Sequence, residues 1–159
     1  MGTVRVKLSK QAEDFHFVAK NEAGHSVHID DATAYDDGTG SGVGPMQMLA
    51  MALGGCSGVD VMMILKKGKC DVRRFDISVT GEKPDGVSPS VYHELRVVYD
   101  VEGDLQRSRV ERAIRLSLEK YCSVAATLGR SARIRFDYVV NGEDFEGAWI
   151  EPADPASRS

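Results

Sequence analysis

Apolar and polar positions alternate with a period of two at the start of the chain. Val4, Val6 and Leu8 interleave with Arg5 and Lys7; Phe15 and Phe17 follow, then Val27 and Ile29. That period predicts strands, and Asn21 to Gly24 supplies a turn, so three short antiparallel strands are expected. Residues 31–44, DATAYDDGTGSGVG, are polar and glycine-rich and read as a loop.

The pattern then changes. From Gly42 to Leu65 the chain carries one charge, Asp60, in 24 residues. Such a run is long enough to cross a bilayer. Gly and Ser cluster within it, however, and its flanks alternate like soluble sheet, so a helix at the buried centre of a globular protein or obligate dimer is expected instead. Pro45 suits its first turn, and Lys66, Lys67 and Gly68 suit its end.

Period-two alternation returns over 75–80 and 95–101, with turn material at 83–89 between them. Asp104 is placed to cap a second long helix reaching Leu128 and stopping at Gly129. Val110, Ile114, Leu118, Tyr121, Cys122, Ala125 and Leu128 fall on one stripe, with Glu111, Arg115 and Glu119 on the exposed side. A last strand is expected over 132–140. From Glu143 the chain is acidic and then rich in Pro, Ala and Ser, so residues 1–142 are expected to form a single domain and 143–159 a loosely held tail.

Composition narrows the function. With 159 residues, 42% apolar and 28% charged, the chain can bury a core and is too apolar to be disordered. A net charge of −4 with both signs interspersed leaves no polybasic footprint, so neither nucleic acid nor a membrane surface is an expected partner. The opening MGTVRVKLSK has no apolar signal core, and a cytoplasmic location is expected. Three cysteines are too few for a disulfide scaffold; in a reducing compartment they are redox-active, metal-binding or small buried hydrophobes.

Cys56 stands in ALGGCSGVD (52–60), and Cys122 lies on the inward stripe of the second helix. Packed helices run about 8–10 Å apart, whereas a disulfide needs Cα atoms about 4.4–6.8 Å apart, so facing cysteines bridge only where backbones approach closely. Gly54, Gly55 and Gly58 would permit that approach at about 1 kcal/mol each relative to alanine. The same residues fit plain helix packing around two inert thiols. Cys70 lies outside the pattern. Of His16, His25, His28 and His93, the pair His25 and His28 sits at i, i+3 on a strand and points to opposite faces, which does not make a metal pair. No phosphate loop or GxSxG occurs.

At these residues the chain resembles the OsmC/Ohr superfamily over about residues 3–141. The resemblance rests on GHSVHID (24–30), GPMQMLAMALGGCSGVDVMMILKKGK (44–69) and EKYCSVAATL (119–128), and is closest to the OsmC-like branch sharing the GGC and KYCSV motifs. It implies an α+β fold, with antiparallel sheets packed around two long central helices in an intertwined homodimer. It also implies thiol-dependent reduction of organic hydroperoxides in oxidative-stress defence. Cys56 would be the peroxidatic thiol and Cys122 the resolving one, with no bound metal or organic cofactor and an external dithiol as reductant. A tentative pocket for a small hydrophobic hydroperoxide or other apolar ligand comprises Met46, Gln47, His25 and Tyr121. Met48, Met51, Met62 and Met63 either extend that lining or belong to plain core.

The chain departs from the family at the thiol's activating pair. Where active members hold an arginine with a glutamate just after the helix-opening proline, this sequence has Met46 and Gln47, and no arginine falls between Arg5 and Arg73. A break at Gly54-Gly55 that offers fresh helix N–H groups to Cys56, or a cation from Lys20, His25 or Lys120, would compensate. Asp60, at i+4 from Cys56, shares its face and needs a partner of its own. Other readings on the same scaffold are a non-catalytic apolar-ligand binder and a redox sensor.

Overall fold

A computed structural model describes residues 2–35, 38 and 40–151. The chain divides between Leu49 and Ala50 into two compact units.

The first unit holds the expected three strands: β1 (Val6–Lys10), β2 (Phe17–Asn21) and β3 (Ser26–Ile29), in the antiparallel order β1-β2-β3. Its buried groups are polar. His16 Nε2 lies 2.8 Å from His28 Nδ1, and its Nδ1 lies 3.2 Å from Glu13 Oε2. Asp30, also buried, accepts the backbone N–H groups of Asp31 and Ser41 at 2.8 and 2.7 Å. The partner of His28 is thus His16 rather than His25, which sits in the β2–β3 turn against Asn21.

Helix α1 (Pro45–Lys67) runs unbroken. Gly44 N–H donates to Gln47 Oε1 at 2.9 Å, closing the first turn in the manner of a capping box. At its far end Cys70 N–H reaches Leu65 O and Lys69 N–H reaches Lys66 O, both at 3.0 Å. This is a Schellman closure whose left-handed residue is Lys69 (φ 58°), one position beyond the glycine expected to stop the helix. By length and composition alone α1 could cross a membrane. Leu53, Ser57, Val61 and Leu65 are nonetheless buried, and the three aliphatic side chains contribute about 1.5–3 kcal/mol each.

Those residues pack in the second unit with a four-stranded sheet of order β4-β5-β6-β7: β4 (Asp71–Glu82), β5 (Glu94–Asp104), β6 (Arg133–Val140) and β7 (Glu143–Ile150). On β5 the alternation buries Leu95, Val97, Tyr99 and Val101, and on β6 Ile134, Phe136 and Tyr138. The sheet is mixed, not antiparallel throughout. β5 and β6 pair in parallel because a helical crossover, α2 (Arg107–Leu116) through α3 (Ser123–Leu128), separates them.

Three further expectations change. Asp104 ends β5, where it pairs with Asp71, and Gln106 takes the N-cap position of α2. The second long helix is two short ones joined by a π-helical turn, Ser117–Tyr121, so among the described residues α1 is the one long helix. Residues 143–150 are no tail. Asn141 and Gly142, both at positive φ, turn the chain so that β7 pairs antiparallel with β6, and only 152–159 of the expected tail lie outside the described residues.

Candidate functional site

Cys56 and Asp60 stand one turn apart on α1 and therefore on one face of it. Opposite them, the crossover fails to complete a regular helix. Cys122 N–H reaches back five residues to Ser117 O at 2.8 Å, the signature of a π turn, and Cys122 itself is extended (φ −68°, ψ 104°) as the N-cap of α3. Its sulfur accepts the Ala125 N–H at 3.3 Å. The result brings Cys56 Sγ, Cys122 Sγ and an Asp60 carboxylate oxygen within 4.8 Å of one another.

A small hydroxyl network holds this arrangement. Ser117 Oγ donates to Asp60 Oδ2 at 3.1 Å and lies 3.2 Å from Ser57 O, joining the π turn to α1. Ser57 Oγ donates to Leu53 O at 2.8 Å and accepts from the Tyr99 hydroxyl at 2.7 Å. None of Ser57, Tyr99 or Ser117 is singled out by the sequence, where a serine next to a motif cysteine and a tyrosine in an apolar strand look ordinary.

The two thiols differ. Cys56 is half-buried, whereas Cys122 is 2% exposed. Burial pushes the Cys122 thiol up to about 12; the Ala125 N–H pulls against it, and the neighbouring Cys56 sulfur adds a smaller push upward. Cys122 therefore holds its proton at neutral pH. Cys70 belongs elsewhere, 4.0 Å from an Arg109 nitrogen that donates to Gly68 O.

The glycines act differently from expectation. A Cβ on Gly58 would lie 2.4 Å from Ile77 Cδ1, and one on Gly54 would lie 3.1 Å from Val79 Cγ2. They admit the side chains of β4, not a second helix, and Gly55 has open space beside it. With α1 unbroken at Gly54-Gly55, no free helix N–H group meets Cys56. The helix terminus serves Cys122 instead.

Gln47 is engaged at the helix start, and His25 with Asn21. Lys120 Nζ sits 5.6 Å from the centre of the exposed Tyr121 ring. An open apolar groove of about 510 Å³ runs along α1, lined by Gly54, Gly58, Met62, Phe75 and Ile77 among others, but neither Cys56 nor Cys122 is in its wall. Met62 and Met63 line it.

The family model described as OsmC-like protein matches residues 38–137, a stretch that contains both cysteines and the π turn. The chain belongs to the OsmC-like family. Protein YhfA of Escherichia coli is 35% identical over 132 residues, spanning 82% of this chain and 94% of that protein. The crystal structure of a hypothetical protein from Aquifex aeolicus shares 30% identity with a TM-score of 0.77, over 88% of this chain and 97% of that one. The organic hydroperoxide resistance protein OhrB of Bacillus subtilis superimposes with a TM-score of 0.61 over 86% of this chain and 98% of its own, at 15% identity, a likeness of fold. The OsmC fold of these neighbours agrees with the mixed α and β architecture described above.

Proposed function

We propose that this OsmC-like protein is a cytoplasmic thiol-dependent peroxidase that reduces organic hydroperoxides. The observation that carries the reading is the proximity of two sulfurs of unequal exposure, 66 residues apart in sequence and within 4.8 Å in space. Cys56, the accessible one, attacks as thiolate on the distal peroxide oxygen, releasing the alcohol and becoming a sulfenic acid. Cys122 then attacks that sulfenic sulfur. Its proton and the departing hydroxide leave as water, and a 56–122 disulfide remains for an external dithiol to reduce.

A proton-holding Cys122 supports this division of labour, because a thiol that is not ionised at neutral pH makes a poor first nucleophile. The apolar groove and the exposed Met51, Val59 and Met63 of α1 support a homodimer in which a second copy covers this face.

The test is a thiol titration with and without a slight excess of cumene hydroperoxide. Wild type is expected to lose two of its three thiols rapidly. Cys56→Ser should lose none on that timescale, and Cys122→Ser should accumulate a sulfenic acid that dimedone traps. An unchanged wild-type titre would leave a binding protein on the same scaffold.

A further inference from the structure

We propose that Cys56, Asp60 and Cys122 form a three-ligand site for Zn2+, and that metal binding and the 56–122 disulfide exclude each other. Three donor atoms within 4.8 Å of one another share a point no more than about 2.8 Å from each, so a Zn–S bond of about 2.3 Å needs at most small side-chain rotations. Among the described residues no other cluster of three such donors is as tight.

The donor set selects the ion. Two sulfurs exclude Mg2+ and Ca2+, which want oxygen, while a carboxylate as third ligand suits Zn2+ better than a purely thiophilic ion. Charge points the same way: a carboxylate and two sulfurs converging on one point are a donor set that a divalent cation binds as carboxylate and thiolates. The outer shell is also in place: Ser117 Oγ fixes the Asp60 carboxylate, and the Ala125 N–H meets the Cys122 sulfur. Cys56 and Asp60 are only half-buried, which leaves a way in and a fourth position for water. Three protein ligands with one open position make an exchangeable site rather than a closed structural one.

The same two sulfurs cannot be both ligands and disulfide. When diamide takes two electrons and two protons from the thiols, its azo bond becomes a hydrazine, the S–S bond forms and two ligands are lost. This exclusion stands whether or not the protein turns over peroxides.

The experiment titrates metal-free, reduced, full-length protein with Co2+ under anaerobic conditions, reading the near-ultraviolet thiolate-to-cobalt charge-transfer band, followed by Zn2+ displacement against a chromophoric chelator. One equivalent per chain is expected, displaced by Zn2+, lost after diamide oxidation, and unchanged in Cys70→Ser. Cys56→Ser and Cys122→Ser should each abolish the band. Asp60→Asn should weaken Zn2+ by at least about tenfold yet still form the diamide disulfide, which shows that its fold and its sulfur geometry persist. No band, a band that survives diamide, or one that only Cys70→Ser removes would each overturn the proposal. So would an Asp60→Asn variant that binds Zn2+ as tightly as wild type.

Discussion

Tyr99 on β5 donates its hydroxyl to Ser57 on α1 at 2.7 Å, joining the centre of the sheet to the residue that follows Cys56. Burial pushes the Tyr99 phenol far above its ordinary range, so it is protonated and donates at neutral pH. Because Ser57 passes its own proton to Leu53 O and offers its carbonyl to Ser117, this one contact braces both sides of the sulfur pair.

Tyr99→Phe removes the donor and leaves Ser57 its Leu53 bond, so stability should fall by about 0.5–1.5 kcal/mol. Urea unfolding followed by circular dichroism measures this. A loss near zero would mean that the contact is not formed in solution.

Cys122 should make the protein sensitive to alkali. In the unfolded chain it ionises in the usual thiol range near about 8.5, whereas in the fold it keeps its proton to about 12. Between those values the folded state binds one more proton than the unfolded state, so stability declines as pH rises and levels off above. Unfolding free energies from urea melts between pH 8 and pH 10.5 should drop more steeply in wild type than in Cys122→Ala, by up to about 1.4 kcal/mol per pH unit. Parallel slopes would show the thiol to be unperturbed.

Asp137 gives the opposite dependence. Its carboxylate is 6% exposed and burial alone would raise it, but the Gly147 N–H at 3.0 Å, Arg135 at 2.9 Å and Arg96 at 2.6 Å outweigh that and hold it below the ordinary range. Its contribution is present above the unfolded carboxylate pKa and is lost as pH falls through the lower folded value. Acid unfolding should therefore begin at higher pH in Asp137→Asn than in wild type. Coincident acid midpoints would contradict the role assigned to this cluster.

Lys69 closes α1 in a left-handed conformation that glycine adopts freely and a side chain resists by about 1–2 kcal/mol. Lys69→Gly is expected to stabilise the protein by about 1 kcal/mol and raise Tm by roughly 2–4 °C, read by scanning calorimetry. A lowered Tm would show that the lysine has compensating contacts.

How far these features can be read from sequence depends on whether a residue's spacing reports its environment. The first three strands and α1 can be, because the period-two alternation and the long uncharged run each have one structural solution. The sulfur pair is legible as two inward positions, since Cys122 continues an apolar stripe. The π turn that presents it is not, because the stripe from Val110 to Leu128 keeps helical spacing straight through the break. β7 is hidden by Glu143, Asp144 and Glu146, which an exposed edge strand tolerates, although Asn141-Gly142 is a strong hairpin signal. The glycines of α1 mark a close approach, but only the coordinates show that Ile77 and Val79 of β4 are what approaches.

The order of elements along α1 and its covering sheet has a consequence for synthesis. The apolar helix ends at Lys67, and the strands that bury one face of it run on to Ile150. At about 5–20 residues per second, the ribosome holds an uncovered, membrane-length segment for on the order of ten seconds before its shelter exists. Within that segment the glycines, Ser57 and Asp60 lower the hydrophobicity that insertion depends on, so two residues of the sulfur site's own network also weaken the affinity of the nascent helix for lipid.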